Sequence, residues 1–273
     1  AAAETASTTT EAGTVGGSEI DDFERPPTLT CLFSAPLVYM DTAGTAFPME
    51  LLNYELEREF LWRAFREASR DIMLRFEFAT TQVLRNAVTL GSRALHFSGH
   101  GDPDFLSFED GFGRCHVLGV DLLRSLLAAG GPSHMGEAGV EFVFVSACYS
   151  KRAGEAFVAA GVPHVVAVNV EEAVLDNAAI AFTRQFYLSL AVGDTVADAF
   201  AIGQQAVKAA PNIPDSMREG NKFLLLPADP DGTMHNVPVF PKRPKVRRWP
   251  PPSHRPVPKD ALASHVAAAG VDV

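Results

Sequence analysis

Cysteine is scarce in this chain: Cys31, Cys115 and Cys148 are the only three in 273 residues. They are too few and too scattered for a disulfide framework, and no CxxC pair suggests a zinc site. A reducing, cytoplasmic setting is therefore expected, with a thiol available for chemistry. Long apolar runs are missing too. No stretch approaches the ~20 residues of a membrane span, and AAAETASTTTEAGTVGGSE at residues 1–19 lacks the basic and apolar regions of a secretory signal. No membrane partner is expected. Basic residues are in short supply over 1–240, with 16 Lys and Arg against 31 Asp and Glu, whereas 241–273 hold seven against two. An acidic body argues against nucleic acid as a partner and suits the attraction of basic peptides. No internal repeat is visible.

What the chain does have is apolar content, 47% of its residues, enough to bury one sizeable core. Residues 1–27, rich in Ala, Thr, Gly and Glu and closing on Pro26-Pro27, have the composition of a disordered leader or linker. Residues 241–273 open with the Pro-rich, basic PKRPKVRRWPPPSHRPVPK, an expected extended tail or linker, and include ALASHVAAAGV, which reads as a short helix. The domain proper is expected over 28–240.

Strand-like and helix-like stretches alternate there. TLTCLFSAPLVYM (28–40) reads as a strand or hairpin, and DIMLRFEF (71–78) and KFLLLP (222–227) as strands. SRALHFS (92–98), VEFVFVSAC (140–148) and PHVVAVN (163–169) are continuous apolar strands. Helices are expected at 50–69, at 80–91 with a stop at Gly91, at 120–131, at 152–161 and twice within 176–210. FLSFED and GRCHVL form a hairpin hinged near Asp110-Gly111. Leu51, Leu52, Leu56, Phe60, Leu61 and Phe65 make a core-facing helical stripe, and Thr195-x-x-Asp198 resembles a capping box. Apolar strands without period-2 alternation, separated by helices, predict a three-layer α/β domain: a mostly parallel sheet with helices on both faces.

In such sheets chemistry gathers beyond the carboxyl ends of the strands. SRALHFS runs into Gly99-His100-Gly101, and VEFVFVS runs into Ala147-Cys148-Tyr149. As neighbouring parallel strands these would lie ~5 Å apart, with His100 facing Cys148 across one rim. A thiol becomes a nucleophile as thiolate, and an imidazole beside it can stabilise it or pass a proton to a leaving amine. The amides of Gly101 and Cys148 would form an oxyanion hole. Strand alternation places His96 inside the sheet, as a satisfied core histidine or one supporting the site. Cys115-His116 has no further ligands at metal-site spacing, and no metal or organic cofactor is expected.

Together ALHFSGHG, EFVFVSACYS, GEAFVAAGVPHVVAVNV and FTRQFYLSLAVGDTVADAFAIGQQAV resemble the CHAT domain, a branch of the caspase-like cysteine peptidases that also includes separase. The resemblance covers roughly residues 30–227. It implies a caspase-like sheet and a His/Cys dyad that cleaves peptide bonds through an acyl-enzyme. His100 matches the dyad histidine, Cys148 the nucleophile and Gly101 the glycine beside the oxyanion site. Tyr149-Ser150 departs from the acid and Thr or Ser that often follow the cysteine in CHAT domains.

After the third apolar strand come Asn169, Glu171, Glu172 and Asp176, in the loop that borders the specificity pocket in this fold. Carboxylates there would favour Arg or Lys before the scissile bond, whereas an Asp-selecting pocket would need Lys151 or Arg152. The plain alternative is that these acids decorate the start of a helix. The resemblance further implies a protein or peptide substrate and a role as the regulated effector module of a larger protein, beside helical repeats or a nucleotide-binding switch module. The competing expectation is a catalytically silent interaction or scaffold domain on the same fold. The basic tail, lying beside an acidic body, could alternatively serve as an inhibitory segment, though a plain linker is expected.

Overall fold

The computed structural model describes residues 26–129, 135–136, 139–169 and 173–240. The expected tail at 241–273, its short helix, and all of the expected leader except Pro26 and Pro27 lie outside the described residues, as do Glu171 and Glu172.

The chain enters through β1 (Thr28–Phe33), then a small antiparallel pair, β2 (Val38–Met40) and β3 (Ala46–Pro48). Helix α1 (Tyr54–Glu67) starts later than its apolar spacing suggested, because the Asn53 side chain accepts from the Leu56 amide and caps it there. Leu51 and Leu52 both precede that helix, and Leu51 is 60% exposed, so the two drop out of the expected stripe; Leu61, Ala64 and Phe65 carry the buried face. Next come β4 (Met73–Phe78), α2 (Thr81–Thr89) and β5 (Ala94–Ser98). A three-stranded antiparallel sheet follows, made of β6 (Gly101–Asp102), β7 (Phe105–Glu109) and β8 (Cys115–Gly119). It contains the expected hairpin, with Glu109 opposite Cys115 and Asp110 Oδ1 accepting from the Phe112 and Arg114 amides in the loop. The remaining elements are α3 (Val120–Ala128), β9 (Phe142–Ser146), α4 (Lys151–Ala159), β10 (His164–Val168), α5 (Asp176–Val192), α6 (Val196–Lys208), α7 (Ser216–Asn221) and β11 (Phe223–Leu226).

Six strands form the main sheet in the order β11-β10-β9-β5-β1-β4, all parallel except β11, which runs antiparallel to β10. The inner strands β9 and β10 are apolar and buried because both faces are covered, whereas the edge strand β4 carries Arg75 and Glu77, and alternation sorts the side chains between the two faces. Leu95, Phe97, Val143, Val145, Val165 and Ala167 pack with α2, α3 and α4 in one cluster. Ala94, Phe142, Phe144, Val166 and Val168 pack with α1, α5 and α6 in another, which is rich in aromatic rings: Phe182, Phe186 and Tyr187 of α5 surround Phe144. The sheet is thus mixed, mostly parallel and flanked by helices. Among the described residues no helix is long and apolar enough to cross a membrane.

Candidate active site

Two strand ends define the site. β5 and β9 are hydrogen-bonded neighbours running the same way, with Ser98 opposite Ser146 as the last pair. The Gly99 amide carries the ladder one step further by donating to the Ser146 carbonyl at 3.3 Å. His100 and Cys148 each follow that pair by two residues. Gly101 closes the gap between the two segments: a Cβ built on it would lie 2.5 Å from the Cys148 carbonyl oxygen and 3.0 Å from the Ala147 side chain. Only a residue without a side chain allows this approach.

The imidazole of His100 is held from the other side. Its Nε2 lies 2.8 Å from the carbonyl oxygen of Glu50, in the segment that leads into α1. A carbonyl only accepts, so Nε2 bears the proton and donates, which leaves Nδ1 of the neutral ring as the acceptor. The His100 carbonyl in turn accepts from the Ser107 amide of β7 at 3.0 Å.

Beyond Cys148 the backbone turns sharply into α4. Tyr149 has φ of 57°, the left-handed region that side chains other than glycine seldom occupy. Ser150 fixes this turn. Fully buried, its hydroxyl donates to the Val145 carbonyl and accepts from the Val168 amide, both at 3.0 Å, tying the end of β9 to the end of β10.

Under the rim lies a polar group within the aromatic cluster. His96 is wholly buried, its Nδ1 3.0 Å from the Tyr187 hydroxyl and its Nε2 3.0 Å from Glu57 Oε1. The Ser98 hydroxyl donates to Glu57 Oε2 at 2.6 Å. One carboxylate on α1 thus grips alternate residues of β5. Burial, with Glu57 nearby, pushes the thiol of Cys31 and the hydroxyl of Tyr187 well above their ordinary values, so Cys31 is a core thiol. Burial also raises the Cys115 thiol.

The loop after β10 is partly described. The Asn169 amide donates to the Lys222 carbonyl at 2.9 Å, and Asp176 sits exposed in the first turn of α5. Buried Glu219 braces the segment between them: its carboxylate accepts from the Leu175 amide at 3.0 Å and from Lys222 Nζ at 2.5 Å, while Nζ also donates to the Ala173 carbonyl at 2.7 Å. Lys151 lies 4.0 Å from Glu155, one helical turn on, and Arg152 pairs with Asp104 of the β6–β7 turn. The two cations named for the opposite specificity are thus engaged with acids.

A profile of the CHAT domain matches residues 13–255. The chain belongs to the CHAT domain family. Among solved structures it is similar to the Arg-specific cysteine proteinase gingipain R, with 12% identity and a TM-score of 0.51 over 80% of this chain and 47% of that one. A complex of the pro- and mature domains of Porphyromonas gingivalis RgpB aligns at 10% identity and a TM-score of 0.47, over 80% of this chain and 48% of that one. The CHAT domain chain spans about half the length of these proteins. No curated protein matches its sequence.

Within this CHAT domain the Tyr149-Ser150 departure has a local explanation. The left-handed turn falls on Tyr149, and the serine hydroxyl serves two backbone partners, the Val145 carbonyl and the Val168 amide. Sequence reasoning passed over Glu57 and Glu50. Glu57 left a signal: it shares a helical face with Leu61, Ala64 and Phe65, an acid in register with buried residues. Glu50 left none, since it acts through its main chain.

Proposed function

We propose that this CHAT domain is a cysteine endopeptidase of caspase-like, three-layer architecture, with its peptidase unit over residues 28–240. The parallel pairing of β5 with β9 supports this reading: His100 follows the end of one strand and Cys148 the end of its neighbour, and the His100 ring meets the Glu50 carbonyl through Nε2. Cys148 lies two residues before Ser150, the N-cap of α4. Its Sγ attacks the scissile carbonyl, forming an S–C bond. The amides of Gly101 and Cys148 receive the oxyanion. As the C–N bond breaks, His100 passes the thiol's proton to the leaving amine. Water then attacks the thioester and gives up a proton to His100; the C–S bond breaks, releasing the acid and restoring thiol and imidazole.

Asn169, Glu171, Glu172 and Asp176 are proposed to border the pocket for the residue before the scissile bond and to favour Arg or Lys there. The substrate is a protein or peptide, and the domain serves as a regulated effector module.

Covalent labelling with an Arg-ended acyloxymethyl ketone tests this. The expected result is modification of Cys148, lost in Cys148→Ala and slowed by ~100-fold or more in His100→Ala. Equal modification of Cys31, Cys115 and Cys148, or labelling indifferent to His100, would overturn the dyad. Preferential labelling by an Asp-ended probe would overturn the basic pocket alone.

A further inference from the structure

A concavity opens at the same end of the sheet, displaced toward its β4 edge. It encloses about 460 Å³ and is lined by Phe33, Tyr54, Phe76 and Phe78, with Glu55, Arg58 and Glu77 completing the wall. Strand order puts it on one side of His100 and Cys148 on the other, since β9 is followed by β5, then β1 and β4. Phe33 ends β1 opposite Ser98 of β5 and Phe78 of β4. The next residue, Ser34, donates its amide to the Ser98 carbonyl at 2.8 Å and accepts from the Tyr54 hydroxyl with its own carbonyl. The wall of the cleft is thus continuous with the segment from Glu50 to Tyr54 that holds the His100 ring.

Position and chemistry together suggest an occupant. In the proposed reaction the acyl half stays on Cys148 while the amine takes a proton from His100, so the leaving half departs on the His100 side, where this cleft lies. Its lining is aromatic: Phe33 and Phe76 are stacked with ring centres 6.0 Å apart, and Tyr54 tilts against Phe33 at 5.4 Å. Phe78 is 66% exposed at the end of a strand paired on one side only among the described residues. Phe78 stands with Phe33, Tyr54 and Phe76 in one lining, and the volume suits a bulky side chain. Two carboxylates against one guanidinium in the wall favour a basic neighbour over an acidic one.

We propose that this cleft is a subsite for an aromatic side chain on the leaving side of the scissile bond, flanked by basic residues. The proposal rests on the peptidase reading. Quenched-fluorescence peptides with one acyl half, carrying Phe or Gly within the first three leaving-side positions and Lys or Glu after it, provide the test. Wild-type kcat/KM should favour Phe over Gly by ~10-fold or more at one position, with Lys better than Glu. In Phe78→Ala that ratio should fall toward one, and in Phe78→Trp it should be retained. A ratio near one in the wild type, or unchanged in Phe78→Ala, would overturn the subsite.

Titration of Cys148→Ala protein with the free leaving-half peptides, followed by amide NMR shifts at residues 54–58 and 76–78, separates the two claims. Cleavage by the wild type without aromatic preference, and no shifts, would overturn the cleft and leave the peptidase reading standing. Phe-dependent shifts without wild-type cleavage would show that the cleft takes an aromatic side chain but would overturn the peptidase reading and, with it, the assignment to a leaving side.

Discussion

A methyl group at residue 101 would collide with the Cys148 carbonyl, and neither partner is a flexible side-chain end that can swing away. Gly101→Ala is expected to cost about 1–3 kcal/mol of stability and to abolish labelling of Cys148, read by urea unfolding and by the ketone probe. Normal labelling would mean that the two strand ends part without consequence. Glu57 is a second residue whose loss has a defined result. Glu57→Gln keeps the shape but cannot accept through both oxygens from His96 and Ser98. It should cost about 1–3 kcal/mol, and unchanged unfolding would show that the carboxylate is dispensable under α1.

At the scale of elements, the turn from β9 into α4 depends on one hydroxyl. Ser150→Ala leaves the Val145 carbonyl and the Val168 amide unpaired inside the protein, so a loss of about 2–4 kcal/mol is expected, measured by chemical denaturation. A neutral outcome would mean that water replaces the hydroxyl. The central strands and most helices were legible in the sequence, since buried parallel strands are unbroken apolar runs and the helices carry their own periodicity. Elements stabilised by distant partners were not. The stretch 28–40 read as a strand or hairpin, but Ser34 bonds to β5 and Leu37 to Gly113 of the hairpin loop, and β1 and β2 belong to separate sheets. Helix α7, SMREGN, has no apolar period to announce it. The strand ends bearing His100 and Cys148 were legible because both motifs interrupt apolar runs, whereas the contacts that hold them depend on residues with no such pattern.

For the molecule as a whole, acid stability depends partly on a pair of histidines far apart in sequence. His164 opens β10, and its Nδ1 lies 2.9 Å from Nδ1 of His235, whose Nε2 donates to the Pro227 carbonyl at 3.0 Å. The His235 and Val237 carbonyls accept from the first amides of α6, so this pair anchors the segment that follows β11. Burial, and then the neighbouring ring, lower the His164 pKa from 6.5 to about 4. Between those values the unfolded chain binds the proton more readily than the folded one, so stability falls as pH drops through that window and levels off below it. The full effect is about 3 kcal/mol. Denaturation from pH 7.5 to 4 should show a steeper loss for the wild type than for His164→Gln; parallel curves would exclude His164 as a source.

The ring of His100 is aimed by a main-chain carbonyl, that of Glu50. Every amino acid supplies such an oxygen, so a mutational scan would leave the contact intact at residue 50 and pass over it as inert. What the contact reads is the path of the chain from β3 to α1. If His100 acts as proposed, inserting or deleting a residue there would disarm it without changing the identity of any side chain of the site, and the length of that connection would then matter in a way that point substitutions do not reveal.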